Sequence, residues 1–225
     1  MDIIRILYDP VKVFRKREME QGINPWILFV IIIVVSVFIF LLSLHHQYQY
    51  AVQKILERIQ QLPEDQRKLA LQHISYKRML TTGLAAVIFM VPLKLLFQSL
   101  IFQQLFTIWG NIKSFSDSLY TVVYANLISI YAQILKLIIE YATGKPYVNF
   151  DLSLFVSRQN TALYKILSNV DIFTIWSLIV MSIGFSELAR VKRSKSITIV
   201  FGLWVIYIVL VGFLFSMGGG KWLRF

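Results

Sequence analysis

Residues 26–44 read WILFVIIIVVSVFIFLLSL, nineteen positions without a charge. About 20 apolar residues in helical form span the ~30 Å hydrocarbon core of a bilayer. Asn24-Pro25 stands just before the run and supplies a cap and a first helical residue, and Trp26 suits the level of the head groups. Further runs follow at residues 80–109, 119–141, 170–189 and 197–217. A soluble domain of this size has one core, too small to hide five of them. The expected fold is therefore an all-α, polytopic membrane helix bundle. It has five transmembrane helices, an extramembrane helical hairpin and a short N-terminal interfacial helix.

The totals agree. Of 225 residues, 57% are hydrophobic and 16% charged, against about 25% charged in soluble domains. The net charge of +11 would suggest nucleic acid in a soluble chain, but no nucleic-acid-binding module is present and the basic residues flank the apolar runs. They read as topology signals and as contacts with anionic head groups. The chain has no cysteine, which excludes disulfides, thiolate catalysis and cysteine metal sites. No secretory signal peptide is expected, because the first apolar run follows a basic segment and is too long for an h-region.

Three regions are expected. Residues 1–24 form a basic amphipathic arm, residues 25–217 the five-span membrane domain, and residues 218–225 a short tail. Within the arm, Asp9-Pro10 starts a helix reaching about Gln21, with Val11 and Phe14 on one face. Lys12, Arg15, Lys16 and Arg17 would meet lipid head groups; a solvated basic arm is the other reading. The first span continues past the membrane through His45 and His46, and Pro63-Glu64 starts a second helix. Residues 45–78 thus read as a hairpin outside the core. Pro92 should kink the second span. Gly144, Pro146 and Asn149 end the third span, and residues 142–168 form a second outside segment.

The arm carries five Lys or Arg, and the link after the fourth span carries Arg190, Lys192, Arg193 and Lys195. With five spans these fall on one side, read as cytoplasmic. That gives a multi-pass cell-membrane protein with the N-terminus inside and the C-terminus outside. Arg190, Lys192 and Arg193 join the expected lipid contacts. The hairpin's six basic residues oppose this assignment; the density of the arm and link decides it.

Asp9-Pro10 with Phe14 resembles the opening of the Yip-domain family, the Ypt-interacting membrane proteins. Asp171, Phe173 and Trp176, then Ile183-Gly184-Phe185-Ser186, then Ser194-Lys195 in a basic link, resemble the family's last two spans. Residues from Ser114-Phe115 to Tyr124-Ala125 resemble the entry to its third span. The glycine pair and proline common around that third span are replaced here by Gly110-Asn111 and Asn126-Leu127. The resemblance implies five spans, a cytoplasmic N-terminus and a family with no known enzyme activity. Eukaryotic members are associated with small GTPases and vesicle traffic through a long cytosolic arm. The arm here is short, so a prokaryotic-type member is expected and that role is not carried over.

Polar residues inside apolar runs mark candidate sites. Lys94 lies near mid-span, with Gln98 one turn on. It either faces protein, water or a carboxylate, or snorkels to an interface. Asn126, Ser129, Gln133, Lys136 and Glu140 are spaced 3, 4, 3 and 4, which puts them on one helical stripe. That stripe either fixes the bundle by hydrogen bonds or lines a polar path. Asp171 either caps its helix or pairs with Lys136. Thr174, Ser177 and Gly184 suit close helix packing. His45, His46 and His73 form no ligand set with metal-binding spacing. No HExxH, phosphate loop or nucleophile elbow occurs, so no catalytic residue, metal or cofactor is assigned.

The reading that follows is a non-enzymatic organiser or accessory subunit for other membrane proteins or lipids. The alternative is a transporter or channel component with a polar path around Lys94 and the third span. Association of copies of the chain stays open.

Overall fold

The computed structural model describes residues 2–19, 22–59, 75–144, 150–156 and 161–218. In order the helices are α1 (Asp2–Arg5), α2 (Pro10–Glu18), α3 (Pro25–Ile59), α4 (Tyr76–Trp109), α5 (Phe115–Thr143), α6 (Ala162–Leu167), α7 (Ile172–Leu188) and α8 (Arg193–Gly218), with a 3-10 turn at Leu152–Phe155. Among the described residues there is no strand, only an isolated bridge between Asp151 and Asp171.

The local reasons are those of the sequence. Asp9 accepts a hydrogen bond from the Lys12 amide and Pro10 occupies the first turn of α2. The Lys12 ammonium, 3.0 Å from the Asp9 carboxylate, with that amide, holds the carboxyl below its ordinary range. Asn24 accepts from the Trp26 amide at the start of α3. Gly144 follows α5 at φ +65, and its amide closes on the Glu140 carbonyl, the left-handed stop that glycine adopts without a Cβ clash. α2 ends at Glu18 rather than near Gln21, where Met19 caps it. α3 runs unbroken to Ile59, so the first arm of the expected hairpin is helical; the second, from Pro63, lies outside the described residues.

Among the described residues, four helices are long and apolar enough to cross a membrane: Pro25–Glu57, Tyr76–Trp109, Phe115–Thr143 and Arg193–Phe213. α7 is apolar but shorter, at 17 residues. Phe89, Met90, Leu93 and Phe97 on α4, and Val205, Ile206, Tyr207 and Val209 on α8, stand exposed. In water such faces would aggregate; for helices in lipid an apolar outside is the stable arrangement.

The chain forms two compact units. One comprises Met1–Leu28, Leu95–Ser129 and Asn149–Phe225, the other Phe29–Lys94 and Ile130–Val148. The first holds an aromatic core in which Phe14, Tyr120, Tyr124, Phe106 and Phe185 are fully buried. α7 packs on α8 and on α2, and α6 packs on α8. The Phe106 and Phe185 rings stack 4.4 Å apart. In the second unit, Tyr141 donates to the Leu42 carbonyl at 2.9 Å and meets the His46 ring edge-on at 4.7 Å.

Candidate functional site

The N-terminal segment is docked on protein. Val13 and Phe14 are fully buried, a burial that contributes about 1.5–3 kcal/mol for a side chain of that size. Phe14 meets Tyr120 and Tyr124 edge-on at 6.1 and 6.3 Å, and Tyr120 donates to the Val13 carbonyl at 3.3 Å. The seat exists because residue 184 is glycine. A Cβ there would fall 2.6 Å from both Phe14 Cζ and Thr121 Cγ2.

Most of the arm's cations are held by acids of the same unit. Arg17 donates to Asp117 at 3.1 Å and to Ser116 at 2.9 Å, with its guanidinium 5.3 Å above the Tyr120 ring. Lys16 reaches Asp2 at 2.8 Å. Arg15 and Arg193 share Glu187 at 3.2 and 3.4 Å. Lys12 pairs with Asp9 and keeps 72% of its side chain exposed. Arg190, at φ 53 in the tight turn after α7, and Lys192 are exposed. Glu187 of α7 thus joins Arg15 of the arm to Arg193 of α8, and Asp117 of α5 holds Arg17.

The intramembrane candidates separate. In the first unit, Asn126 donates to the Gln98 carbonyl oxygen at 3.3 Å and to the Val122 backbone at 2.8 Å, and Gln98 reaches the Met181 sulfur at 3.8 Å. Ser177 donates to the Ala125 carbonyl at 2.8 Å and Ser196 to the Ser182 carbonyl at 2.7 Å. Ser177 and Gly184, set on one side of α7, thus meet α5, the close approach that small residues allow. Along α5, Asn126 and Glu140 are buried while Ser129, Gln133 and Lys136 are partly so. The exposed positions of that stretch are apolar, among them Ile134, Leu135 and Ile138. Glu140 is 6% exposed, and its Oε1 has no hydrogen-bond partner among the described residues. Lys94 lies exposed on α4. Asp171 caps α7, accepting from the Phe173 and Thr174 amides at 2.9 Å and the Thr174 hydroxyl at 2.6 Å. Among the described residues no three His, Cys, Asp or Glu side chains converge on a metal-sized site.

Neither the Phe14 seat nor the acids that hold the arm are legible in the order of residues. Gly184 was the available signal, since a mid-helix glycine implies close approach of a neighbour.

A family model, the Yip1 domain, matches residues 4–214. The chain belongs to the Yip1 domain family. No curated protein and no solved structure matches it. The Yip1-domain match begins inside α1 and ends within α8, so it takes in the docked arm as well as the apolar helices. The chain is thus a multi-pass, all-helical membrane protein of that family.

Proposed function

We propose that the chain is a non-enzymatic organiser or accessory subunit for other membrane proteins or lipids, not a carrier in its own right. The supporting observation is the closure of its polar groups on one another. Asn126, Gln98 and Met181 form one connected set, and Ser177 and Ser196 are bound to backbone. Helices joined this way make a fixed bundle. Its exposed apolar faces on α4 and α8 are offered to lipid or to other membrane helices. α7 serves as the fifth crossing, with the arm and residues 189–192 on the cytoplasmic side of a cell membrane. Lys12, Arg190 and Lys192 meet anionic head groups there.

A transporter reading draws on one observation, the buried Glu140 with a carboxylate oxygen that has no hydrogen-bond partner among the described residues. Buried intramembrane acids recur in ion and proton paths. The two readings part in reconstituted vesicles. The organiser reading expects Lys94→Met and Glu140→Gln to leave thermal stability and recovery of native membrane partners nearly unchanged, because a buried polar contact in a membrane averages about 0.6 kcal/mol. Solute or ion flux by the purified chain, abolished by either substitution while the fold persists, would refute it.

A further inference from the structure

α7 has 17 residues, a length of about 26 Å at 1.5 Å per residue, some 4 Å short of the ~30 Å hydrocarbon core. The chain just before it is unusual for a segment outside a membrane. Phe155 is 84% exposed and Leu154 66%, and Leu152, Leu163 and Ile172 are exposed with them. Four of these large apolar side chains lie on two short elements and the fifth, Ile172, opens α7; together they would be an aggregation liability in water.

The backbone of the same elements is closed with equal consistency. Asp151 accepts from the Ser153 amide and hydroxyl at the start of the 3-10 turn, and Thr161 accepts from the Tyr164 amide at the start of α6. Asp171 caps α7. The Leu152 amide bonds to the Val170 carbonyl at 3.0 Å, and the Ser168, Asn169 and Val170 amides close back on α6. Asn169 and Ser168 side chains cover the Lys165 carbonyl. Non-helical backbone survives at membrane depth only where its polar groups are satisfied by protein. The elements also continue the membrane region directly. Ile166 lies against Gly212 of α8, whose Cβ would fall 2.7 Å from Ile166 Cγ1, while Leu210 and Phe213 on that stretch are exposed like Leu163.

We propose that the Leu152–Phe155 turn and α6 are an interfacial membrane element, seated at the boundary of lipid head groups and acyl chains. Leu154, Phe155 and Leu163 reach into lipid, making up the length that α7 lacks. The occupant of this surface is lipid; the inference rests on α7 crossing the membrane, as proposed above, and holds whether the bundle organises partners or not.

The chain has no cysteine, so single sites can carry a fluorophore without background. Phe155→Cys and Leu163→Cys, each labelled with an environment-sensitive dye, are placed in phosphatidylcholine vesicles containing doxyl-labelled lipid. Val205→Cys, exposed midway along α8, is the deep reference and a labelled thiol peptide in buffer the aqueous one. Both test labels lose most of their emission to doxyl groups near the head group, less to groups deep in the acyl chain, and little to aqueous iodide; Val205 shows the reverse depth order. Iodide quenching equal to that of the free peptide, without a doxyl effect, makes the segment a solvent loop and overturns the proposal. Labels shielded from both quenchers point to a protein cover and overturn it equally. Only variants that elute and melt like the parent are scored, and because the two sites are on separate elements one suffices if the other misfolds.

Discussion

Gly184→Ala tests the docked arm with a result whose sign is decisive. Taken alone, alanine is worth about 1 kcal/mol more than glycine in a helix interior, so an unobstructed site should be stabilised. Gly184 is obstructed. Its added Cβ would lie 2.6 Å from Phe14 Cζ and from Thr121 Cγ2, where carbon atoms prefer about 3.5–4.0 Å. Each contact is short by roughly 1 Å. Neither neighbour yields easily, for Phe14 is fully buried between Tyr120 and Tyr124 and Thr121 bonds the Asp117 carbonyl. Overpacking of this kind costs about 1–3 kcal/mol, more than the propensity gain over most of that range. Gly202 on α8 is the control, since nothing lies within 4 Å of its Cβ.

Thermal unfolding in detergent should therefore move in opposite directions: down for Gly184→Ala, up or level for Gly202→Ala. For a chain of this size about 1 kcal/mol corresponds to 2–4 °C by soluble-domain scaling, so the two melts should differ by several degrees. Trypsin should also cut at Arg15 and Arg17 sooner in Gly184→Ala. In a Phe14→Ala, Thr121→Ser background both clashing atoms are gone, and Gly184→Ala should no longer destabilise. If Gly184→Ala melts at or above the parent, Phe14 does not occupy that seat and the docked-arm account is wrong.

Three more outcomes are expected. Arg17→Ala removes charge-assisted bonds to Asp117 and Ser116 from a side chain 21% exposed. It should cost about 1.5–3 kcal/mol by thermal melting, and a loss indistinguishable from that of Lys12→Ala would show the pair to be solvent-screened. Asp171→Ala strips two amides and a hydroxyl of their acceptor and should lower stability by about 0.5–2 kcal/mol; a neutral result would mean that the cap is replaced by water or lipid. For topology, Lys16→Cys and Ser194→Cys should be protected from an impermeant maleimide in intact cells and react after permeabilisation, and labelling of Ser194→Cys from outside would sink the orientation.

The helix pattern was legible because its causes are local. Asp9-Pro10, Asn24-Pro25, Asp171 and Gly144 act within four residues, and apolar runs declare themselves by length. Residues 152–155 and 162–167 show in the sequence only as part of an outside segment, since pieces of four and six residues are too short to show a period. The polar stripe was legible as a stripe, but spacing along one helix does not say which helix answers it; Asn126 is answered by Gln98 of α4.

The arm is the instructive divergence. An amphipathic basic helix looks the same whether its apolar face meets lipid or protein, and topology reasoning discounts acids. Here the acids decide. Arg17 finds Asp117 and Arg15 finds Glu187 across 100 and 172 residues, too far for any sequence window. The chain has 12 acidic residues, and Asp2, Asp9, Asp117 and Glu187 all bind cations of the arm or of the link after α7. Acids so few and so placed offset the basic cluster locally, so that less of its charge is left for lipid. The salt dependence of liposome binding by the folded chain should accordingly follow Lys12, Arg190 and Lys192 rather than Arg15, Lys16 and Arg17. Equal sensitivity to both sets would show that the ion pairs open at the membrane surface.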